Sequence, residues 1–190
     1  MNHIIIYMSF KSLTIKIESA NSEDAEEISE LLRVTWLATY PNADIGITKN
    51  DIRLRTDGKN GERIKNNIEN WRNIINRKDG SGATFVARYK SKIVGLAAPC
   101  IIDGKRRVGA LYVLAEYHGL GIGKKMMKKI LEWHGETEDI YLRVASYNQN
   151  AIDFYKRFGF EQTDSNIIDE GNVYENTLIP EIEMVLRKAE

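Results

Sequence analysis

The segment His118-Gly119-Leu120-Gly121-Ile122-Gly123-Lys124 constrains this chain more than any other stretch. Apolar residues at period two precede it and apolar residues at helical spacing follow it, so it reads as a strand-to-helix turn with glycine at every second position. Glycine permits positive φ and close backbone approach, which lets successive N–H groups converge on one ligand group. A helix N-terminus adds partial positive charge, and Lys124 and Lys125 add full charges nearby. A pyrophosphate is the anion that fits. Two common phosphate loops do not match. The dinucleotide fingerprint needs glycines at positions one, three and six; here they fall at one, three and five, with Lys124 at six. Asp139 lies near the acidic distance of that fingerprint, but before the next strand rather than at its end, and the loop follows a run of strands instead of opening a βαβ unit. The nucleoside-triphosphate loop needs glycine where His118 stands and Ser or Thr where Lys125 stands.

The rest of the chain sets the context. Leu13 to Glu18 alternates and predicts a strand. Asn21 or Ser22 offers an N-cap, with Glu23 and Asp24 in the first turn, and Ala25, Ile28, Leu32 and Trp36 follow at helical spacing until Pro41 restricts Tyr40. Residues 42–61 are polar and broken by Gly46, Gly58 and Gly61. A second helix carries Ile64, Ile68, Trp71 and Ile75 and stops at Gly80-Ser81-Gly82. Thr84–Tyr89, Ile93–Ile102 and Arg107–Leu114 form an antiparallel meander, with Asp103-Gly104 as a hairpin turn. After the glycine loop come a helix with Ile122, Met126 and Ile130 inward and lysines outward, a strand at Ile140–Val144, a helix marked by Ala151, Tyr155 and Phe158, and strands from Phe160 and over Ile182–Leu186. The expected fold class is α+β, a mixed, mostly antiparallel sheet flanked by helices. Its order is strand, two helices, three strands, helix, strand, helix, two strands.

With 190 residues, 43% of them hydrophobic, the chain suits one domain over 13–190 with residues 1–12 as an arm or extra strand. The apolar run Ile4-Ile5-Ile6 is too short for a membrane span and lacks a signal-peptide flank; Met8 would also serve as a start. No membrane association is expected, and the cytoplasm is the default location. Acids and bases cancel at 27 each, which argues against nucleic acid as a partner. Cys100 stands alone and reads as a core hydrophobe, and His3, His118 and His134 are scattered, so no disulfide or metal site is expected.

A second motif decides the reading of the first. Asn148-Gln149-Asn150-Ala151-Ile152-Asp153-Phe154-Tyr155-Lys156-Arg157-Phe158-Gly159-Phe160 resembles the GNAT acetyltransferase pattern of Asn, two residues, Ala, three residues, Tyr, then Gly-Phe. His118, Gly121 and Gly123 resemble that superfamily's glycine motif, with His where Arg or Gln is usual. Leu111-Tyr112-Val113-Leu114 resembles its fourth strand, and Ile17 to Ile28 its opening strand and helix; the resemblance spans about residues 13–187.

The resemblance implies the GNAT fold and direct transfer of an acetyl group from acetyl-CoA to a primary amine. It implies that backbone groups of Leu111, Tyr112 and Val113 hold the pantetheine arm. His118, Gly119, Leu120, Gly121, Ile122, Gly123 and Lys124 would hold the pyrophosphate, with Asn148, Asn150, Ala151, Tyr155 and Arg157 as further cofactor contacts. Asn148 could equally fix the strand-to-helix turn, and Arg157 or Lys156 could be plain exposed charges. Tyr155 is the candidate acid that returns a proton to the departing thiolate, against the alternative of a core aromatic on the Ala151/Phe158 stripe. A base is missing: relatives carry a carboxylate on the fourth strand, whereas Arg106-Arg107-Val108-Gly109-Ala110 has none and Glu116 lies past the strand. The proton is expected to leave through a water chain or to a carboxylate on another element.

The acceptor is the least defined part. Trp36 and Tyr40 stand one helical turn apart where the family's acceptor enters, as an aromatic wall for a cation or as core packing. Glu161 to Glu183 contains seven acids (Glu161, Asp164, Asp169, Glu170, Glu175, Glu181 and Glu183) and no Lys or Arg, an acidic rim for a polycation or a solvated loop. Trp36-Leu37-Ala38-Thr39-Tyr40-Pro41 and Ile47-Thr48-Lys49-Asn50-Asp51-Ile52 resemble the PaiA-type branch, which implies a polyamine such as spermidine or spermine. A peptide or protein N-terminus, as in ribosomal-protein acetyltransferases, and a non-catalytic acyl-CoA-binding regulatory domain stay open. So does a homodimer.

Overall fold

The structure is a computed structural model that describes residues 14–168 and 178–188, apart from the side chains of residues 166–168. The expected arm at 1–12, and Leu13, Asp169, Glu170 and Glu175, lie outside the described residues. Among those described, the strands are β1 (Ile15–Ser19), β2 (Phe85–Tyr89), β3 (Lys92–Ile102), β4 (Lys105–Val113), β5 (Ile140–Ala145), β6 (Glu161–Ile168) and β7 (Pro180–Leu186). The helices are α1 (Ala25–Thr39), α2 (Lys49–Asp57), α3 (Glu62–Ile75), α4 (Ile122–His134) and α5 (Gln149–Lys156). The sheet order is β1-β2-β3-β4-β5-β7-β6. Every neighbouring pair is antiparallel except β4 with β5. This is the expected α+β mixed sheet.

β3 sits at the heart of the sheet. Ile93 to Pro99 are buried without alternation, which requires cover on both faces. α1 and α4 both pack against it. α4 delivers Ile122, Met126, Met127 and Ile130, all at most 1% exposed, while Ile28 and Leu31 of α1 join the same core. Arg88 on β2 ties α1 down: its guanidinium reaches Glu18 on β1 at 2.7 Å and Asp24 at the α1 N-terminus. Asp24 is also half of a capping box with Asn21, so Asn21 is the residue that starts this segment.

Two local readings change. The stretch 42–61, expected to be broken and polar, contains α2. Thr48 accepts from the Asp51 N–H while the Asp51 carboxylate accepts from the Thr48 N–H, a capping box that starts a helix of low apolarity. At the end of α1, Pro41 does stop the ladder, but Tyr40 stays near the helical region (φ −94°, ψ −17°) and its N–H still bonds Trp36. The contacts of Tyr40 described below hold it there against the usual pre-proline preference.

Candidate active site

The site begins where β4 and β5 part. Their parallel pairing covers only Arg106 with Ile140 and Arg107 with Tyr141. Beyond that point β5 continues paired to β7, and β4 to β3, so the β4 edge from Val108 to Val113 faces β5 with no partner strand. The kink that opens the gap is a β-bulge. Ala98 pairs with Ala110 but Pro99 pairs with Val108, leaving Gly109 as the extra residue. A Cβ at Gly109 would lie 2.8 Å from Cys100 Sγ and 2.9 Å from the Ala98 carbonyl, so only glycine allows β3 this close.

The glycine loop continues from the open edge of β4. Residues Ala115–Tyr117 make one 3-10 turn, and the His118 ring donates from Nε2 to the Val113 carbonyl at 2.9 Å, bracing the loop against the strand end. Gly119 (φ 78°) and Gly121 (φ 75°) are left-handed, and Gly121 is the N-cap of α4 without any side-chain cap. The first helical bond is Lys125 N–H to the Gly121 carbonyl, at 3.1 Å. The N–H groups of Ile122, Gly123 and Lys124 therefore have no acceptor within the helix. A Cβ on Gly119 or Gly121 would meet nothing within 4 Å, so the space before these amides is open and their conformation, not crowding, selects glycine. Gly123 differs: it is helical, and its Cα faces the Phe154 ring, 3.5 Å from where a Cβ would be. Its smallness serves the packing of α4 on α5. An open amide nest beside an unpaired strand edge fits a nucleotide pyrophosphate followed by an extended amide-bearing arm.

α5 follows β5 and packs its Phe154 ring against Gly123 of α4. Asn148 is its N-cap, with Oδ1 accepting from Ala151 N–H at 3.2 Å. Asn150 is exposed in the first turn. Arg157 is an exposed C-cap over the Phe154 ring. Tyr155 is buried, 9% exposed, with edge contacts to Phe154 and Phe160. Burial, with the Tyr112 hydroxyl as a lesser cause, pushes its phenol well above the ordinary range. The two readings of Tyr155 are thus compatible: a packed ring carries a hydroxyl that stays protonated.

On the acceptor side, distant segments meet. Tyr40 and Tyr112 share a hydroxyl–hydroxyl hydrogen bond of 3.1 Å, and Tyr147 donates to the Tyr40 carbonyl at 2.7 Å. Tyr112 thus contributes its side chain here as well as its backbone to the open β4 edge. Burial raises the phenols of Tyr40, Tyr112 and Tyr147, and the negative charge of Glu181 raises each of them further. Trp36 packs edge-on against Tyr40, and its buried indole N–H, turned toward the Tyr112 hydroxyl, closes no well-formed hydrogen bond. The open face of Trp36 expected for a cationic substrate is already covered, because the Arg55 guanidinium lies 5.3 Å over its ring. A cleft of about 690 Å³ runs from this cluster between α1 and α3 to Gly109 and Ala110. It presents Arg33, Arg55 and Arg63 against Glu26 and Glu30, with Arg33 paired to Glu30 at 2.6 Å.

Of the acidic stretch, Glu183 faces Arg107 at 3.6 Å across the sheet, both side chains under 20% exposed, so it is not a solvated rim charge. Glu181 lies opposite Ala145, at the end of β5 away from its pairing with β4. Sequence reasoning counted Glu181 as rim and left out Arg55 and Tyr147. Tyr147 could have been noticed as the residue just before Asn148, whereas nothing local marks Arg55. Among the described residues no group of three His, Cys, Asp or Glu could hold a metal ion, and no helix is long and apolar enough to cross a membrane.

A mixed sheet splayed at the β4 bulge, with an amide nest at the head of α4 and the buried Tyr155 of α5, has the layout expected of the GNAT fold. The sequence model of the acetyltransferase (GNAT) family matches residues 50–160, and the chain belongs to that family. It is similar to N-alpha-acetyltransferase 50 of Danio rerio, 37% identical over 109 residues that span 53% of this chain and 62% of that protein, less than two thirds of its length. Among solved structures it resembles the PaiA N-acetyltransferase of Thermoplasma acidophilum in complex with coenzyme A, at 25% identity and a TM-score of 0.70, covering 92% of this chain and 99% of that one. A spermidine N-acetyltransferase from Vibrio cholerae in complex with CoA and spermine shares the fold, with a TM-score of 0.64, 16% identity and coverage of 92% and 95%.

Proposed function

We propose that this chain transfers the acetyl group of acetyl-CoA directly to the α-amine of a peptide or protein. The observation that carries the transfer reading is the unpaired β4 edge from Val108 to Val113, lying between the amide nest of α4 and the Tyr155 hydroxyl. In this reading the nest holds the pyrophosphate, with Lys124 beside it, and the amides and carbonyls of Leu111 to Val113 hold the pantetheine as an added strand. Acetyl-CoA supplies an activated thioester. The N–H groups of the β4 bulge polarise its carbonyl, and Tyr155, kept protonated by burial, donates to the sulfur as it departs. Alignment of amine and thioester in the gap needs no covalent enzyme intermediate. Residues 13–190 act as one catalytic domain in this scheme.

The arginine content of the cleft favours a peptide over a polyamine. Arg33, Arg55 and Arg63 line it, and Arg55 occupies the Trp36 face, so the ring that would stack a polyamine cation already carries one. A peptide brings one ammonium and a neutral or acidic chain, whereas a polyamine brings several cations into that field. The likeness to an N-alpha-acetyltransferase agrees. The polyamine reading keeps one specific support, the carboxylate of Glu181 beside the tyrosine cluster.

A CoA-release assay across peptides of varied N-terminus, spermidine and spermine separates these readings. Turnover of peptides with little or none of polyamines is expected. The reverse would establish the polyamine reading, and acetyl-CoA binding without transfer to any amine would establish a regulatory domain.

A further inference from the structure

The fourth strand lacks the carboxylate that would take the acceptor's proton, yet a substrate ammonium, with a pKa near roughly 8 for an α-amine, must lose one before it can attack. We propose that Glu181 is the terminal acceptor of that proton, reached through the hydrogen-bonded hydroxyls of Tyr112 and Tyr40. The inference rests on the acetyl-transfer reading and adds to it the route of the proton.

Three placements carry it. The β5–β7 register sets Glu181 opposite Ala145, at the mouth of the gap between β4 and β5. Tyr40 and Tyr112, seventy-two residues apart, hold their hydroxyls 3.1 Å from each other, the spacing for proton transfer along a hydrogen bond. Tyr147 pins the Tyr40 carbonyl and so fixes the ring's base. The phenols themselves are unsuited to be the final base: burial raises each of them, so they stay protonated and can only pass a proton on. Among the described residues, Glu181 is the carboxylate whose charge raises Tyr40, Tyr112 and Tyr147 alike. Other charges around this point are Arg55 from α2, which acts on the same Tyr112 and Tyr147 hydroxyls, and the Glu183–Arg107 pair, Glu183 being on the same face of β7 two residues on.

The steps balance as follows. The ammonium gives a proton to the Tyr112 oxygen as Tyr112 gives its own to Tyr40, and Tyr40 relays its own through intervening water to Glu181, which releases it to solvent. The neutral nitrogen then forms its bond to the thioester carbon, and the carbon–sulfur bond breaks. Sulfur takes the Tyr155 proton, and the acylated nitrogen returns one proton to Tyr155. One proton leaves per turnover.

The test is the pH profile of kcat/KM for Glu181→Gln, Tyr112→Phe and Tyr40→Phe, with Glu181→Asp alongside and acetyl-CoA affinity measured by calorimetry. Each of the first three is expected to lose on the order of 10²–10⁴-fold at neutral pH. The loss should shrink as pH rises toward the pKa of the amine, with acetyl-CoA affinity retained and Glu181→Asp recovering part of the rate. A Glu181→Gln enzyme within about threefold of wild type across the profile overturns the inference. So does a loss that is the same at every pH and is not eased by Asp, which would mark a structural role. Both outcomes leave the transfer reading intact. A wild type that acetylates no amine overturns both.

Discussion

The cofactor side and the acceptor side of the gap are built in different ways. The cofactor side is local: the nest lies within Gly119–Lys124, its brace is a bond between His118 and Val113 five residues away, and the α5 cap lies within Asn148–Ala151. In the proposed function its recognition groups are backbone amides. The acceptor side is assembled from afar. Tyr40 meets Tyr112 across 72 residues and Tyr147 across 107, and Arg55 reaches Trp36 from a helix that the polar pattern hid. In the proposed function its recognition groups are side chains. A substrate common to many relatives can be held by main chain, whereas the variable one is selected by side chains that change without disturbing the fold.

Substitutions can break this division or sharpen it. After the proton-relay variants above, the largest effect is expected for Tyr155→Phe, which bridges both sides: kcat should fall on the order of 10²–10³-fold with acetyl-CoA affinity unchanged. Because the phenol is raised above the ordinary range, wild-type activity should show no loss from Tyr155 ionisation up to pH 10. Full activity in the Phe variant would return Tyr155 to a purely core role. Gly121→Ala forces a Cβ into a left-handed position and should cost about 1–2 kcal/mol, read by calorimetry as weaker acetyl-CoA binding with acceptor KM unaltered. Asn148→Ala removes a cap worth about 1 kcal/mol and should lower Tm by roughly 2–4 °C. If acetyl-CoA affinity falls as well, Asn148 also touches the cofactor. Arg55→Ala removes a stacked cation worth about 0.5–1 kcal/mol and should change only the acceptor KM, by roughly two- to fivefold. A change in acetyl-CoA affinity there would show that the two sides are coupled.

The smallest effect lies in the core, outside both sides. His134 on α4 donates from Nε2 to the Arg107 carbonyl at 3.0 Å, with Nδ1 buried and unpartnered, and burial lowers its pKa from 6.5. The unfolded chain therefore takes up this proton more readily than the native one. The contribution of neutral His134 is fully present above pH 6.5 and declines as pH falls through and below that value. Equilibrium denaturation between pH 5 and 7.5 should show this slope, reduced in His134→Gln.

Much of this was legible along the chain because it is local. Period-two and helical spacing marked every described strand and four of the five helices, and Asn148 to Phe160 marked α5 with its tyrosine. α2 escaped because Lys49–Asp57 has few apolar residues to show a stripe; only the Thr48/Asp51 capping box announced it. Gly123 was credited with a turn conformation that only Gly119 and Gly121 adopt, since spacing alone does not separate a glycine needed for φ from one needed for packing.

What the sequence determined by itself was the nest, the strand ahead of it and the helix α5, since backbone geometry follows from neighbouring residues and their spacing. What only the tertiary structure decided was which side chains share the acceptor space. The Gly109 bulge and the short β4–β5 pairing open the gap, and the β5–β7 register then brings Glu181 to its mouth. Electrostatic and hydrogen-bond partnerships depend on distance in space, and residues 40, 55, 112, 147 and 181 become neighbours only when the sheet is complete.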